Sequence, residues 1–326
     1  MKRKSCMTPV KRIPFSRPYP LNAPRLAKGF EEIVETRWYT KGKNVKRLEE
    51  ALVSYLDVDH AIATGTGSSA LLIGLRSYAD RIGVESITVP AFTFDSVRYT
   101  IEFAGIKDIR YGDVDPRTWT LVDQEYPTDI VMGMDTFGNK SDIKETETER
   151  LFFDAAQSFG AEISRDRGAI EIISFAGGKV ITTGGEGGAI VTNDGVLAAE
   201  CRHLRDLFSK MPEACAFIGV SMMDHIDDIL KQKAEIAKLY RKKIPLQFQE
   251  ITATNNYIVG CLMDGRDEFI AENRERVDFR DFYREPLKSP EITDMLSKRM
   301  LCLPNGPDVI PNIDFICALV NRSLEG

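Results

Sequence analysis

The sequence predicts an α/β protein, with a large, mostly parallel sheet flanked by helices and a smaller α+β unit after it. Three observations carry this expectation. Short apolar runs, among them Ala61-Ile62-Ala63 and Leu151-Phe152-Phe153, alternate with segments of helical spacing, the alternation that builds parallel sheets. The pattern changes after a long charged helix expected over 224–243, so two domains are expected, 1–240 and 241–326. Four chemically capable groups (the 64–69 loop, Phe94, Asp154 and Lys179) fall at the carboxyl ends of expected strands. That is the edge at which open α/β sheets bind ligands.

A chain of 326 residues, 43% hydrophobic and 28% charged, has the composition of an ordinary soluble globular protein with a sizeable core. No apolar stretch approaches the roughly 20 residues of a membrane helix, and the basic N-terminus has no apolar core after it, so neither a span nor a secretory signal is expected. The six cysteines lack paired short spacing, which fits a reducing cytoplasm. Three histidines speak against a histidine-rich metal site, and no metal is expected. A net charge of −6 gives no general pull toward nucleic acid. One local asymmetry cuts against that average. Before Glu31 there is no acid, but Lys2, Arg3, Lys4, Lys11, Arg12, Arg17, Arg25 and Lys28 are present. This stretch is either a solvated arm or a rim that attracts a phosphate-bearing substrate.

In order, the proline-broken stretch 13–20 must be extended and lie against the body. A short helix is expected over 30–36, a turn over 38–42, and a second helix from Val45, Leu48, Leu52 and Leu56. The strand at 61–63 runs into Thr64-Gly65-Thr66-Gly67-Ser68-Ser69 and then a leucine-rich helix. A helix start presents unpaired N–H groups and partial positive charge, glycine lets a phosphate come close, and Ser68 and Ser69 add hydroxyls. The plainer alternative is that these serines cap the helix. Strands follow at 86–89, 109–111, 129–134 and 151–153, with a helix at 95–104. Segment 211–223 is expected to be irregular. Beyond 243, strands and helices at 256–262, 268–274, 292–296, 299–303 and 312–323 make up the small unit.

The strand at 170–175 ends in Ala176-Gly177-Gly178-Lys179, and a loop with Gly184, Gly185, Gly187 and Gly188 follows. A lone lysine among glycines at a strand end has room for a bulky planar partner. It has little local charge to keep it protonated, which suits an amine that must attack a carbonyl.

Several stretches together resemble the DegT-type sugar aminotransferases. They are Trp38-Tyr39-Thr40-Lys41-Gly42, Thr66-Gly67-Ser68-Ser69-Ala70-Leu71, Pro90-Ala91-Phe92-Thr93-Phe94, Asp154-Ala155-Ala156-Gln157, Ser174-Phe175-Ala176-Gly177-Gly178-Lys179 and Leu301-Cys302-Leu303-Pro304. The resemblance runs from Ile13 almost to the C-terminus. It implies fold type I, the aspartate aminotransferase-like arrangement, with pyridoxal 5'-phosphate as cofactor and a homodimer working in the cytoplasm. Lys179 is then expected to hold the cofactor covalently and carry protons, and Asp154 to pair with the pyridinium nitrogen. Gln157 is expected at the phenolic oxygen and Phe94 on the ring face, with Gly67, Ser68, Ser69 and Ser174 around the phosphate. The implied reaction moves an amino group from glutamate or a similar donor to a keto group, most naturally on a nucleotide-linked deoxysugar.

Two departures bear on the substrate. The family's loop bearing asparagine and arginine finds its nearest match at Phe217-Ile218-Gly219-Val220-Ser221-Met222-Met223-Asp224, which has neither residue. A histidine common in the family is replaced around Asp135-Thr136-Phe137-Gly138. The competing expectation is therefore a decarboxylase or lyase with the same cofactor, acting on an amino-acid-derived or nucleotide- or nucleic-acid-attached substrate; for an acceptor attached to a nucleotide or nucleic acid, the basic arm is the only support in the sequence. A scaffold on a retired enzyme fold is a third reading, opposed by the joint presence of Lys179, Asp154 and Gln157.

Overall fold

The computed structural model describes residues 12–162 and 167–325; Lys2, Arg3, Lys4 and Lys11 of the basic stretch lie outside them. Seven strands form the large sheet: β1 (His60–Thr64), β2 (Ser86–Pro90), β3 (Asp108–Gly112), β4 (Ile130–Met134), β5 (Leu151–Asp154), β6 (Ile170–Ser174) and β7 (Gly188–Thr192). Their order is β1-β7-β6-β5-β4-β2-β3, and only β7 runs against its neighbours. Helices cover both faces, so the inner strands β4, β5 and β7 are fully buried, whereas the edge strand β3 is polar and partly exposed. The two-residue alternation of strand side chains sorts them between two cores. Ile62, Ile172 and Ile190 face α3 (Gly67–Ile82), α4 (Ser96–Phe103) and α5 (Gly195–Phe208). Ala61, Ala63, Ile173 and Val191 face α2 (Lys43–Leu56) and α6 (Glu213–Met223).

A second sheet of β8 (Gln247–Phe248), β9 (Val259–Leu262) and β10 (Met300–Leu303) is antiparallel, in the order β10-β9-β8. It shares a core with α10 (Ile313–Glu325) and with Phe269 of α8 (Arg266–Asn273). Ile13 joins this core, its backbone bridged to Val277, so the extended N-terminal stretch does lie against the body. The boundary expected at 240/241 falls inside α7 (Ile226–Lys243). Ile226 and Ile229 of that helix pack under the large sheet, whereas Ile236, Ala237 and Tyr240 pack under the small one. Among the described residues no helix is long and apolar enough to cross a membrane.

Two elements differ from the sequence expectation. The first helix, α1 (Ala23–Thr36), starts earlier than 30: Asn22 caps it by accepting from the Arg25 N–H, and Pro24 occupies its first turn, a pairing that favours a helix start. Segment 211–223 is not irregular but contains α6. This helix is apolar all round and mostly buried, so it carries no amphipathic stripe by which to be recognised. Its Glu213, 2% exposed, accepts from the N–H groups of Gly42 (2.7 Å), Asn44 (2.8 Å) and Val45 (3.1 Å). One carboxylate on α6 thus satisfies the open N-terminus of α2 and neutralises its dipole.

Replacing Glu213 with leucine strands those buried donors. Stability measured by urea denaturation is expected to fall by about 1–3 kcal/mol; an unchanged midpoint would show that the cap contributes nothing.

Candidate active site

The site is assembled at the carboxyl end of the large sheet, where the chain turns out of β1, β2, β5 and β6. Gly188 at the start of β7 is opposite Thr64 on one side and Ser174 on the other. A Cβ at Gly188 would come within 2.6 Å of the Thr66 carbonyl, so only glycine lets the 64–69 loop close onto the lysine turn. The lysine turn is pinned by Phe175 N–H to the Gly187 carbonyl (2.8 Å) and by Lys179 N–H to that of Ala176 (2.9 Å).

These turns surround a cavity of about 330 Å³, within the size range of small-molecule sites. Gly67, Ser68, Phe94, Asp154, Gln157, Ser174 and Lys179 all line it; they reach it from four separate stretches of chain. Ser69 does not. It is the third helical residue in a reciprocal cap: its N–H donates to Thr66 Oγ1 (2.9 Å), its Oγ accepts from the Thr66 N–H (3.2 Å), and that Oγ lies 2.6 Å from Ser209 Oγ. Ser69 therefore shapes the loop, and the capping alternative weighed for the serines describes it.

Lys179 and Asp154 have opposite characters in one enclosure. Burial lowers the Lys179 amine to about 8, against the pull of Asp154 and Glu186. No hydrogen bond to this amine is present among the described residues; its nitrogen lies 5.0 Å from the centroid of the Tyr257 ring. Burial raises the Asp154 carboxyl, while the Ala156 N–H (3.0 Å) and Lys179 act to lower it. A near-neutral amine and an enclosed carboxyl are groups whose charge a bound ligand can set. Gln157 is fixed from both ends, its Oε1 accepting from the Phe137 N–H (2.7 Å) and its Nε2 donating to Tyr283 Oη (2.6 Å). Phe94, 58% exposed, forms one wall.

Sequence reasoning missed the wall supplied by the second half of the chain, which includes Tyr257, Ile258, Phe282 and Tyr283. Phe282-Tyr283 lies in a non-periodic stretch between charged residues, and an aromatic pair in such a loop is the one signal that could have marked it. Among the described basic residues near the N-terminus, Arg12, Arg17, Arg25 and Lys28 do not line the cavity. Arg12 pairs with Asp278 (2.9 Å), Arg17 with Asp308 (3.8 Å) and Arg25 with Asp224 (2.5 Å). The stretch matched to the substrate loop, Phe217 to Asp224, is no loop: it lies in α6 and its C-cap. At the replaced histidine, Asp135 is fully buried, bound by Arg167 (2.6 Å), the Ser158 hydroxyl and the Ser141 N–H. It stands behind the cavity wall.

The family model for the DegT/DnrJ/EryC1/StrS aminotransferases matches residues 22–312. The chain belongs to this family. Among DegT/DnrJ/EryC1/StrS relatives, GDP-perosamine synthase of Escherichia coli O157:H7 is 29% identical over 89% of this chain and 93% of that protein. UDP-2-acetamido-2-deoxy-3-oxo-D-glucuronate aminotransferase of Pseudomonas aeruginosa is 29% identical over 54% of this chain and 53% of its own. The crystal structure of DesI, solved in the presence of its TDP-sugar product, superposes with a TM-score of 0.82 at 22% identity, covering 97% of this chain and 95% of that one. The architecture is accordingly that of fold type I, and the protein is a pyridoxal-phosphate-dependent aminotransferase.

The donor set fits that cofactor. Its phosphate suits the start of α3, where Gly67 approaches so closely that a Cβ would lie 2.9 Å from Ser174. Its aldehyde requires an unprotonated amine and its ring nitrogen an acid; burial shifts Lys179 toward the first and Asp154 toward the second. Pyridoxal phosphate, when bound, supplies the electron sink for the bond broken at the substrate carbon.

The Lys179 value sets a pH dependence. The neutral, nucleophilic fraction of the amine grows as pH rises through about 8, instead of through the ordinary 10.5. Borohydride trapping of pyridoxal phosphate on the protein is expected to reach its half-maximal rate near that lower value, and to vanish in Lys179→Ala. A half-point near 10.5 would contradict the lowered value.

Proposed function

We propose that this protein moves an amino group from an amino-acid donor such as glutamate to a keto group on a nucleotide-linked sugar, working as a cytoplasmic homodimer. One observation supports the chemistry above all: Lys179 and Asp154, from separate strand ends, line a single cavity with the glycine–serine start of α3. Lys179 holds the cofactor through its amine and then carries the proton at the substrate carbon. Asp154 keeps the ring nitrogen protonated. Gln157 faces the phenolic oxygen, Phe94 covers a ring face, and Ser68, Ser174 and the N–H groups beside Gly67 hold the phosphate. Relatives named for GDP- and UDP-linked sugars support the acceptor class.

Support for the homodimer comes from the surface. Trp38 (60% exposed), Tyr39 (56%), Leu207 (62%) and Phe208 (77%) lie on two segments joined by the bridge of Thr40 to Pro212. Ser209, beside Phe208, accepts from the Gly65 N–H through its carbonyl and its hydroxyl, and its hydroxyl shares a hydrogen bond with that of Ser69. An apolar face of this kind invites a partner, and here it borders the site.

Purified protein is expected to be yellow and to bleach when glutamate is added, regaining colour with a keto-sugar nucleotide. In Lys179→Ala the colour is absent and turnover falls by roughly 10²–10⁴-fold or more, the worth of a positioned proton carrier. Release of carbon dioxide from an amino acid in place of amino transfer would overturn the reaction assigned. For the dimer, Phe208→Asp should give a monomer by light scattering, with activity lost; a native monomer that turned over substrate would refute the assembly.

A further inference from the structure

Gln157 is more constrained than a single hydrogen bond requires. Its Oε1 accepts from the Phe137 N–H, which fixes the orientation of the carboxamide, because a flipped amide would set two donors face to face. Nε2 must then be the donor to Tyr283 Oη, at 2.6 Å. A phenol that accepts from Gln157 still carries its own proton, and no acceptor for that proton is present among the described residues. Tyr283 lines the same cavity as Lys179 and Asp154. Burial pushes its phenol above the ordinary tyrosine range, so the O–H is intact at neutral pH.

The backbone adds an independent sign. Tyr283 has φ +60 and Phe137 has φ +61, a region that side-chain-bearing residues rarely occupy. The two rings stack with centroids 5.8 Å apart and planes 5° from parallel, and Phe92 packs edge-on against Tyr283 at 5.0 Å. Conformations of this kind persist where the surroundings over-determine them, and they cluster at working sites. Here they deliver a phenol from the second half of the chain to a glutamine 126 residues away in sequence.

We propose that Tyr283 is a catalytic residue whose O–H donates to the anionic ring oxygen of the cofactor, with Gln157 as second donor, the two acting as one hydrogen-bonded unit. This rests on the assignment of Gln157 to that oxygen. A donor to the oxygen stabilises its ionised form. The proton shared between that oxygen and the Lys179 nitrogen is therefore released at lower pH, which keeps the linked amine reactive near neutrality.

The test is a pH titration of the visible absorbance band of the cofactor-loaded protein. Tyr283→Phe keeps the ring and loses the donor; its midpoint is expected to rise by about one to two pH units, the worth of one hydrogen bond to a charged group. Placing 3-fluorotyrosine at 283 strengthens the donor without changing its contacts, and must move the midpoint down. Combining Tyr283→Phe with Gln157→Leu should give less than the sum of the two single shifts. Unmoved midpoints in both Tyr283 proteins overturn the proposal, as does a Tyr283→Phe effect confined to the KM of the sugar substrate, which would make this a substrate contact. If Tyr283→Phe cannot be loaded, the fluorotyrosine protein decides. A wild-type protein that takes up no cofactor defeats the underlying site assignment, a separate outcome visible before any variant is made.

Discussion

The close approach at Gly188 is the constraint on which the site depends. Because β7 pairs with β1 and β6 at once, its first residue must pass between Thr64 and Ser174, and a side chain there would collide with the Thr66 carbonyl. With that passage open, the start of α3 and the lysine turn become neighbours although more than a hundred residues separate them. The antiparallel insertion of β7 between two strands that both run the other way makes this possible. It carries the chain back from the ligand edge, leaving only Gly184, Gly185 and Glu186 of the loop after Lys179 exposed there.

The electrostatics follow from the enclosure thus formed. Taking an amine and a carboxyl out of water pushes each toward its neutral form, and their mutual attraction only partly opposes this. Such a pair stabilises the fold little by itself. It is suited to a ligand that supplies the missing charges, with a basic ring nitrogen for the acid and a carbonyl carbon for the amine. The buried Asp135–Arg167 pair sits one layer further back. There the Ser158 hydroxyl and the Asp154–Asp135 backbone bond tie it to the turn carrying Asp154 and Gln157. Asp135 itself supports the turn and does not line the cavity.

The chain's second half closes the site. Tyr257, Phe282 and Tyr283 come from segments packed against the small sheet, and α7 runs continuously from one core into the other. The two sheets are therefore linked by a rigid element, and the aromatic wall is held at a fixed place relative to Lys179. Glu213 serves a similar end on the other flank by locking α6 onto α2 beside the exposed aromatic face.

By itself the sequence determined the strand–helix alternation, the ligand edge and several of the groups that line the cavity, because these depend on local periodicity and on small residues at strand ends. Lys179, Asp154, Phe94 and the Gly67–Ser68 turn were legible for that reason, whereas Gln157 and Ser174 were legible only through the family resemblance of the motifs that contain them. Tertiary structure alone decided that Ser69 turns inward to cap a helix while Ser68 faces the cavity, since a one-residue step around a helix turns the side chain by about 100°. It also decided that 213–223 is helical, because a helix buried on all sides has no periodic stripe to betray it. Last, it decided that Tyr283 meets Gln157: contacts across 126 residues are set by how two sheets pack, and no local pattern encodes that distance.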